Sequence, residues 1–188
     1  MSSEGGRILR LFSSHNYLSI LCNGKVKGSP EKSNKHTLLM TISANTEDPS
    51  LVYIYGIKSR LFISMNDKEG SVSGVCQKEC ATIFKEDYAR SPDDSTAVSE
   101  NYLMYECVRD GQGVGWYLGI RTNGMVRRGS HTSNQFINEL ASKTEEKNKE
   151  KVKSRRRKEL MFLPDHNVIP SEICEAENYE CEECGRTC

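Results

Sequence analysis

Trp116-Tyr-Leu-Gly-Ile-Arg-Thr-Asn-Gly-Met-Val-Arg-Arg-Gly129 is the last of three like stretches, and reading the three together decides the fold. The others are Tyr17-Leu-Ser-Ile-Leu-Cys-Asn-Gly-Lys-Val-Lys-Gly28 and Leu61-Phe-Ile-Ser-Met-Asn-Asp-Lys-Glu-Gly-Ser-Val-Ser-Gly74. Each holds an apolar alternating run, a turn ending in glycine (Gly24, Gly70, Gly124), a valine two residues on (Val26, Val72, Val126) and a closing glycine. Alternation at period two is what a strand with one buried face requires. Asn23-Gly24 and Asn123-Gly124 supply the positive φ of a tight hairpin, while Asn66-Asp67 ahead of Glu69-Gly70 predicts a slightly longer turn. The turn glycines recur about every fifty residues, leaving room for another strand pair between hairpins, so about twelve strands are expected in three pseudo-equivalent units. The expected class is all-β. Its economical closed form is a β-trefoil, a short barrel capped by a triangle of hairpins, because closure removes exposed sheet edges. A β-sandwich with three unrelated hairpins is the competing reading.

Working outward, 188 residues suffice for one domain with a full core. Lys plus Arg and Asp plus Glu both number 26, and this neutrality hides an asymmetry. Nine basic residues lie between Lys143 and Lys158, against Glu145, Glu146 and Glu150, whereas six glutamates and a single Arg186 lie between Ser171 and Cys188. No apolar run approaches a membrane span. Met1-Ser-Ser-Glu-Gly-Gly6 has no apolar stretch of the secretory kind, so a secreted reading requires a processed or recombinant form. Cys22, Cys76, Cys80 and Cys107 lie among the repeats; Cys174, Cys181, Cys184 and Cys188 crowd the tail. Spacing leaves disulfides, free thiols and a zinc site all open for the tail, and no metal site is assigned.

Along the chain, residues 1–6 read as a leader and 7–164 as the folded domain. Strands are expected at 7–13, 36–42, 51–56 and 101–108, with a last strand at 159–163, ending at Pro164 and closing the barrel beside the first. Glu86 to Glu100 reads as an exposed loop. Gly111-Gln-Gly-Val-Gly115 has no helix after it, so it lacks the context of a phosphate loop. Residues 134–157 form a basic insertion, read as the one helix or as a solvated segment. Residues 165–188 form an acidic, Cys-rich tail.

The chain resembles the fibroblast growth factors. The residues that carry the resemblance are Arg10-Leu-Phe12, Asn23-Gly-Lys-Val, Lys58-Ser-Arg-Leu-Phe-Ile-Ser-Met65, Glu79-Cys80 with Phe84-Lys-Glu86, Asn101-Tyr102 with Tyr105, Gly115-Trp-Tyr-Leu118, Asn123-Gly124 with Arg127-Arg-Gly-Ser-His-Thr132, and Phe162-Leu-Pro164. They stand in the family's order across residues 7–164. Departures are Ala81-Thr82 after the Glu-Cys pair, the stretch from Asp87 to Glu100, the insertion after Thr132 and the cysteine-rich tail. The resemblance implies a trefoil ligand that dimerises a receptor tyrosine kinase with heparan sulfate as co-receptor.

No catalytic constellation stands out: His15, His36, His131 and His166 are scattered, and no cofactor is expected. The positive signal is basic. Arg121, Arg127, Arg128 and His131 flank the third turn, and alternation puts Arg127 and Arg128 on opposite faces. The resemblance places the heparan sulfate site on this hairpin and the loop after it, helped by the region of Asn16. Arginine suits sulfate because its planar fork makes paired charge-assisted bonds. Arg155, Arg156 and Arg157 of the insertion are expected to extend that surface. A solvated charged loop, a convertase cleavage site and a nuclear-import or nucleic-acid patch are the other readings of this segment. The resemblance further implies receptor contacts at Phe12, Glu86, Asn101, Tyr102 and Leu163. The expected function is thus a secreted, extracellular ligand, not an enzyme, with no nucleic-acid partner and no membrane insertion. The alternative is an intracellular trefoil adaptor, like the family's non-secreted relatives. A trefoil lectin is weaker, since only Trp116 offers a large sugar-stacking face.

Overall fold

Three hydrogen bonds close the repeat into a ring. The closing glycine of each hairpin donates its N–H to the turn-glycine carbonyl of another hairpin: Gly28 to Gly124 at 2.7 Å, Gly74 to Gly24 at 2.7 Å and Gly129 to Gly70 at 2.8 Å. The turn glycines have φ of 79°, 72° and 80° at Gly24, Gly70 and Gly124. The closing glycines are glycine for a different reason, close approach. A Cβ on Gly28 would stand 2.7 Å from Asn16 Cβ and 3.0 Å from Gly124 Cα. Each element of the repeated motif is therefore spent on one contact around a pseudo-threefold axis, and the fold is a β-trefoil.

The structure, a computed structural model, describes residues 6–90 and 97–178. Its strands are β1 (Arg7–Ser13), β2 (Asn16–Ile20), β3 (Val26–Ser29), β4 (Leu39–Ser43), β5 (Leu51–Gly56), β6 (Leu61–Met65), β7 (Val72–Val75), β8 (Ile83–Arg90), β9 (Ala97–Arg109), β10 (Gln112–Tyr117) and β11 (Leu163–Asp165). Along the sheet the order is β10-β9-β8-β5-β4-β1-β2-β3, with β11 beside β1, and β6 joining β5 to β7. The β2–β3 and β6–β7 pairs are the first two hairpins. In the third, the ladder shrinks to one bridge, Ile120 with Val126, which is where a twelfth strand would lie. Inward residues of all three units (Leu9, Leu11, Leu18, Ile20, Ile54, Ile63, Phe84, Leu118, Ile120 and Phe162 among them) form one core. Burying each such side chain contributes about 1.5–3 kcal/mol.

Several expectations change. The segment from Glu86 is not a loop at its start: β8 and β9 stay paired as far as Arg90 with Ala97. The polar sequence hid this because cross-strand backbone bonds, not an alternating apolar face, hold that ribbon. The run from Glu159 to Leu163 is not the last strand. Glu159 N–H still bonds Arg155 O at 3.3 Å and Leu160 N–H bonds Arg157 O at 2.9 Å, so helical turns persist there. β11 starts at Leu163 and includes Pro164, which lies opposite Leu11.

The insertion is two helices, α1 (Asn134–Ser142) and α2 (Lys149–Lys158), packed together. Ser133 caps α1 by accepting from Phe136 N–H at 3.2 Å, and Ile137 and Ala141, one turn apart, turn inward. In α2, Glu150 sits in the first turn and Arg155 to Lys158 in the last, the charge order that the helix dipole favours. A third helix, α3 (Pro170–Glu177), was not expected. Its Ala176 packs with Leu38 and Ile57 in a second small cluster that includes Val168. Cys181, Cys184 and Cys188, and most of the leader, lie outside the described residues. Among the described cysteines, Cys22, Cys76 and Cys80 are disulfide-bonded, while Cys107 and Cys174 are free.

Candidate functional site

Asn16, expected at the glycan surface, is 5% exposed and acts as a clamp. Its Nδ2 donates to Ser14 O at 3.0 Å, Thr122 O at 3.2 Å and Arg121 O at 3.4 Å, tying the β1–β2 turn to the third hairpin. A second tie comes from Ser13, whose Oγ donates to Lys158 O at 3.2 Å, and from Ile120 N–H, which donates to Glu159 O at 2.9 Å. The end of α2 is thereby locked against both β1 and the third hairpin.

Arg127 and Arg128 do face opposite ways. Arg127 is 5% exposed, and its Nε and Nη2 both meet Oε2 of Glu159, itself 1% exposed. That guanidinium is not available to a sulfate; the contact it makes is structural. Arg128 is exposed and pairs through Nη1 with Glu69 at 2.8 Å, also at the surface. Such a pair is worth little in water and yields readily to a stronger anion.

Glu159 is the centre the sequence did not reveal. Burial pushes its carboxyl up in pKa, and the charges of Arg156, Arg155 and Arg121 pull it back. Arg155 Nε stands 3.9 Å from Oε1. Arg121 Nε and Arg156 Nη1 are buried without a hydrogen-bond partner. One carboxylate thus faces Arg121, Arg127, Arg155 and Arg156; Arg127 holds its Oε2, while its buried Oε1 accepts no hydrogen bond. The structure brings together four of the expected basic residues and leaves a surplus of positive charge at the junction of α2 and the third hairpin. Arg157 makes no ion pair among the described residues. His131 stacks on Phe136 of α1, with ring centroids 4.6 Å apart and planes at 17°. No residue number links Glu159 to Arg127. The only hint was a lone acid closing a basic run.

The expected receptor residues separate into two places. Phe12 lies opposite Leu163 on one side and Tyr17 on the other, and its ring tilts against Tyr17 at 4.8 Å. Tyr102 lines the same groove as Phe12, and Leu163 is among the exposed large apolar residues. Asn101 is exposed beside Tyr102 on β9. Glu86 stands apart. Its carboxylate accepts from Arg7 Nη2 at 2.6 Å and from Tyr105 Oη at 2.9 Å. Burial and then that carboxylate push the Tyr105 phenol well above its ordinary pKa.

The glycine run is also explained without a ligand. Gly115 N–H donates to Glu106 Oε1 at 2.8 Å, and a Cβ on Gly113 would lie 2.5 Å from that atom. The Trp116 ring carries the Arg109 guanidinium at 4.7 Å, so one face of the lone tryptophan is already covered. No helix of the described residues is long and apolar enough to cross a membrane.

A family model described as fibroblast growth factor matches residues 7–139. Over 119 residues the chain is 29% identical to fibroblast growth factor 4B of Xenopus laevis, a match covering 62% of this chain and 52% of that protein. The chain therefore spans about half the length of that curated relative.

Proposed function

We propose, from the premise that this chain belongs to the fibroblast growth factor family, that it is a secreted ligand which binds and activates a receptor tyrosine kinase with heparan sulfate as co-receptor. Members of the family are signalling ligands, not enzymes. One observation carries the glycan half of the reading: the arginine surplus around Glu159, where Arg121, Arg155 and Arg156 outnumber the charge left to them. Arg155, with its side chain 70% exposed, presents the forked guanidinium that binds sulfate by paired charge-assisted bonds, and Arg121 and Arg156 are partly exposed around the same carboxylate. Arg128, Arg157 and His131 flank this centre, and Asn16 and Arg127 hold it in place. The receptor half falls to Phe12, Tyr102 and Leu163, aromatic and apolar anchors of the kind that dominate interface energetics, with the polar Asn101 beside them. Glu86 joins them less directly, because Arg7 and Tyr105 occupy it. The bonded state of Cys22, Cys76 and Cys80 supports an oxidising, extracellular setting over an intracellular adaptor.

Receptor phosphorylation in responsive cells, with and without added heparin, tests the reading. Phosphorylation that rises with heparin is expected. Arg121→Ala with Arg155→Ala and Arg156→Ala should elute from heparin at lower salt and lose the heparin response. A native chain that leaves heparin with unrelated neutral proteins and phosphorylates no receptor sinks it.

A further inference from the structure

Between the aromatic edge and α2 lies a groove with a cavity volume of about 640 Å³. Phe12, Tyr102 and Met161 give it apolar surface, and Lys151, Arg155 and Lys158 give it cations. Those three are spaced four and three residues apart, so they form one stripe along a single face of α2. Off that stripe, Lys149 pairs with Glu146, and Lys153 with Glu150. Lys151 and Lys158 have no ion pair among the described residues. The one carboxylate lining the groove, that of Glu159, is buried and held by Arg127. The groove therefore offers solvent an apolar patch beside unneutralised positive charge.

A sulfated glycan uses only half of that surface, since it brings anions and no apolar side chain. A peptide with carboxylates spaced around an aromatic or aliphatic residue uses both. The stripe belongs to the insertion that departs from the family's pattern, so the groove is a feature of this chain. We propose that it docks an acidic segment of the receptor's extracellular part, anchored by one aromatic or aliphatic side chain. The proposal rests on the reading of the chain as a receptor ligand for the origin of the segment. The chemistry of the groove stands on the residues alone.

The full chain is applied, at physiological salt, to an array of Asp- and Glu-rich dodecapeptides that each carry one Phe, Tyr or Leu. The expected result is capture at least tenfold stronger than by the same peptides with Ser at the apolar position. Lys151→Glu with Lys158→Glu should abolish it, and Phe12→Ser should weaken it about as much as the Ser peptides do. Lys151→Gln with Lys158→Gln is the milder variant, expected to keep the native melting temperature while losing most capture. No capture, or capture indifferent to the apolar residue, overturns the proposal. Receptor phosphorylation separates the two readings. If the native chain captures peptides but phosphorylates no receptor, the ligand reading fails and the groove chemistry stands. If Lys151→Glu with Lys158→Glu phosphorylates receptor as the native chain does, the groove proposal fails and the ligand reading stands.

Discussion

At the scale of single residues, two glycines separate two demands that are usually confounded. Gly70 and Gly111 have nearly the same positive φ, 72° and 77°. A Cβ on Gly70 meets Gly129 N at 2.4 Å, while one on Gly111 meets nothing within 4 Å. Gly111→Ala should therefore cost only the left-handed backbone penalty, about 1–2 kcal/mol. Gly70→Ala should cost that and about 1–3 kcal/mol more, because the crowded atoms are backbone and cannot step aside. Urea unfolding of both variants measures the difference; equal losses would mean that the glycine ring is not a tight contact. The same scale explains why Arg127 deceived sequence reading. Alternation gave its face correctly, opposite to Arg128, but which face was interior depended on Glu159, 32 residues away. Arg127→Ala takes from that buried carboxylate its hydrogen-bonded partner and leaves only looser contacts such as Arg155 at 3.9 Å, which should cost about 3 kcal/mol. Arg128→Ala, at the surface, should change stability by about 0.5 kcal/mol or less.

At the scale of elements, helix α3 shows what a sequence pattern conceals. The strands were legible because period-two alternation and Asn-Gly turns are local signals. The helix was not, since Val168 and Ala176 are thinly spread apolar residues in a glutamate-rich stretch and acquire meaning only against Leu38 and Ile57. The basic surface proposed for a glycan and the groove beside it were half legible for the same reason: their cations show in the sequence, but the approach of α2 to Phe12 does not. Arg10 makes α3 more than an appendage. Its side chain is 1% exposed in β1, donating from Nε to Thr37 Oγ1 at 3.2 Å and from Nη2 to Glu172 at 2.7 Å. The Ile169 N–H and then Arg10 hold the Glu172 carboxyl below its ordinary pKa. At Asp165 burial pushes upward, but the bonds from Lys32 and Asn167 N–H outweigh it, and this carboxyl too is held low. A carboxyl lowered by folding adds stability above its unfolded pKa and loses it as pH falls through the folded value. Docking of α3 should hence be complete at neutral pH and weaken progressively below about pH 4. Hydrogen exchange of the α3 amides at pH 7 and pH 3 reads this. Glu172→Gln should cost about 1–3 kcal/mol at pH 7 by leaving a buried donor poorly satisfied, and should remove much of the acid sensitivity.

At the scale of the whole molecule, a net charge of zero is an average over two poles. The basic pole is α2 with the third hairpin, where Glu159 is spent on Arg127. The acidic pole is α3, whose Glu172 and Glu175 reach Arg10 and Lys35. In about 0.1 M salt, exposed charges more than about 10 Å apart are largely screened from each other, so a ligand at one pole feels that pole and not the total. A polyanion with fixed sulfate spacing should then be held by the basic pole while a diffuse cation exchanger sees a near-neutral protein. The native chain at pH 7 is expected to elute from heparin at higher salt than from a sulfopropyl matrix of equal charge density. Replacing Lys151, Arg155 and Arg157 with Gln should close most of that gap. Glu175→Gln alters the acidic segment, where its carboxylate is exposed, and should shift both elutions upward by similar amounts while leaving the gap in place. If the Glu175 variant closed the gap and the α2 variant did not, retention would follow net charge, and the basic pole would not be the polyanion site.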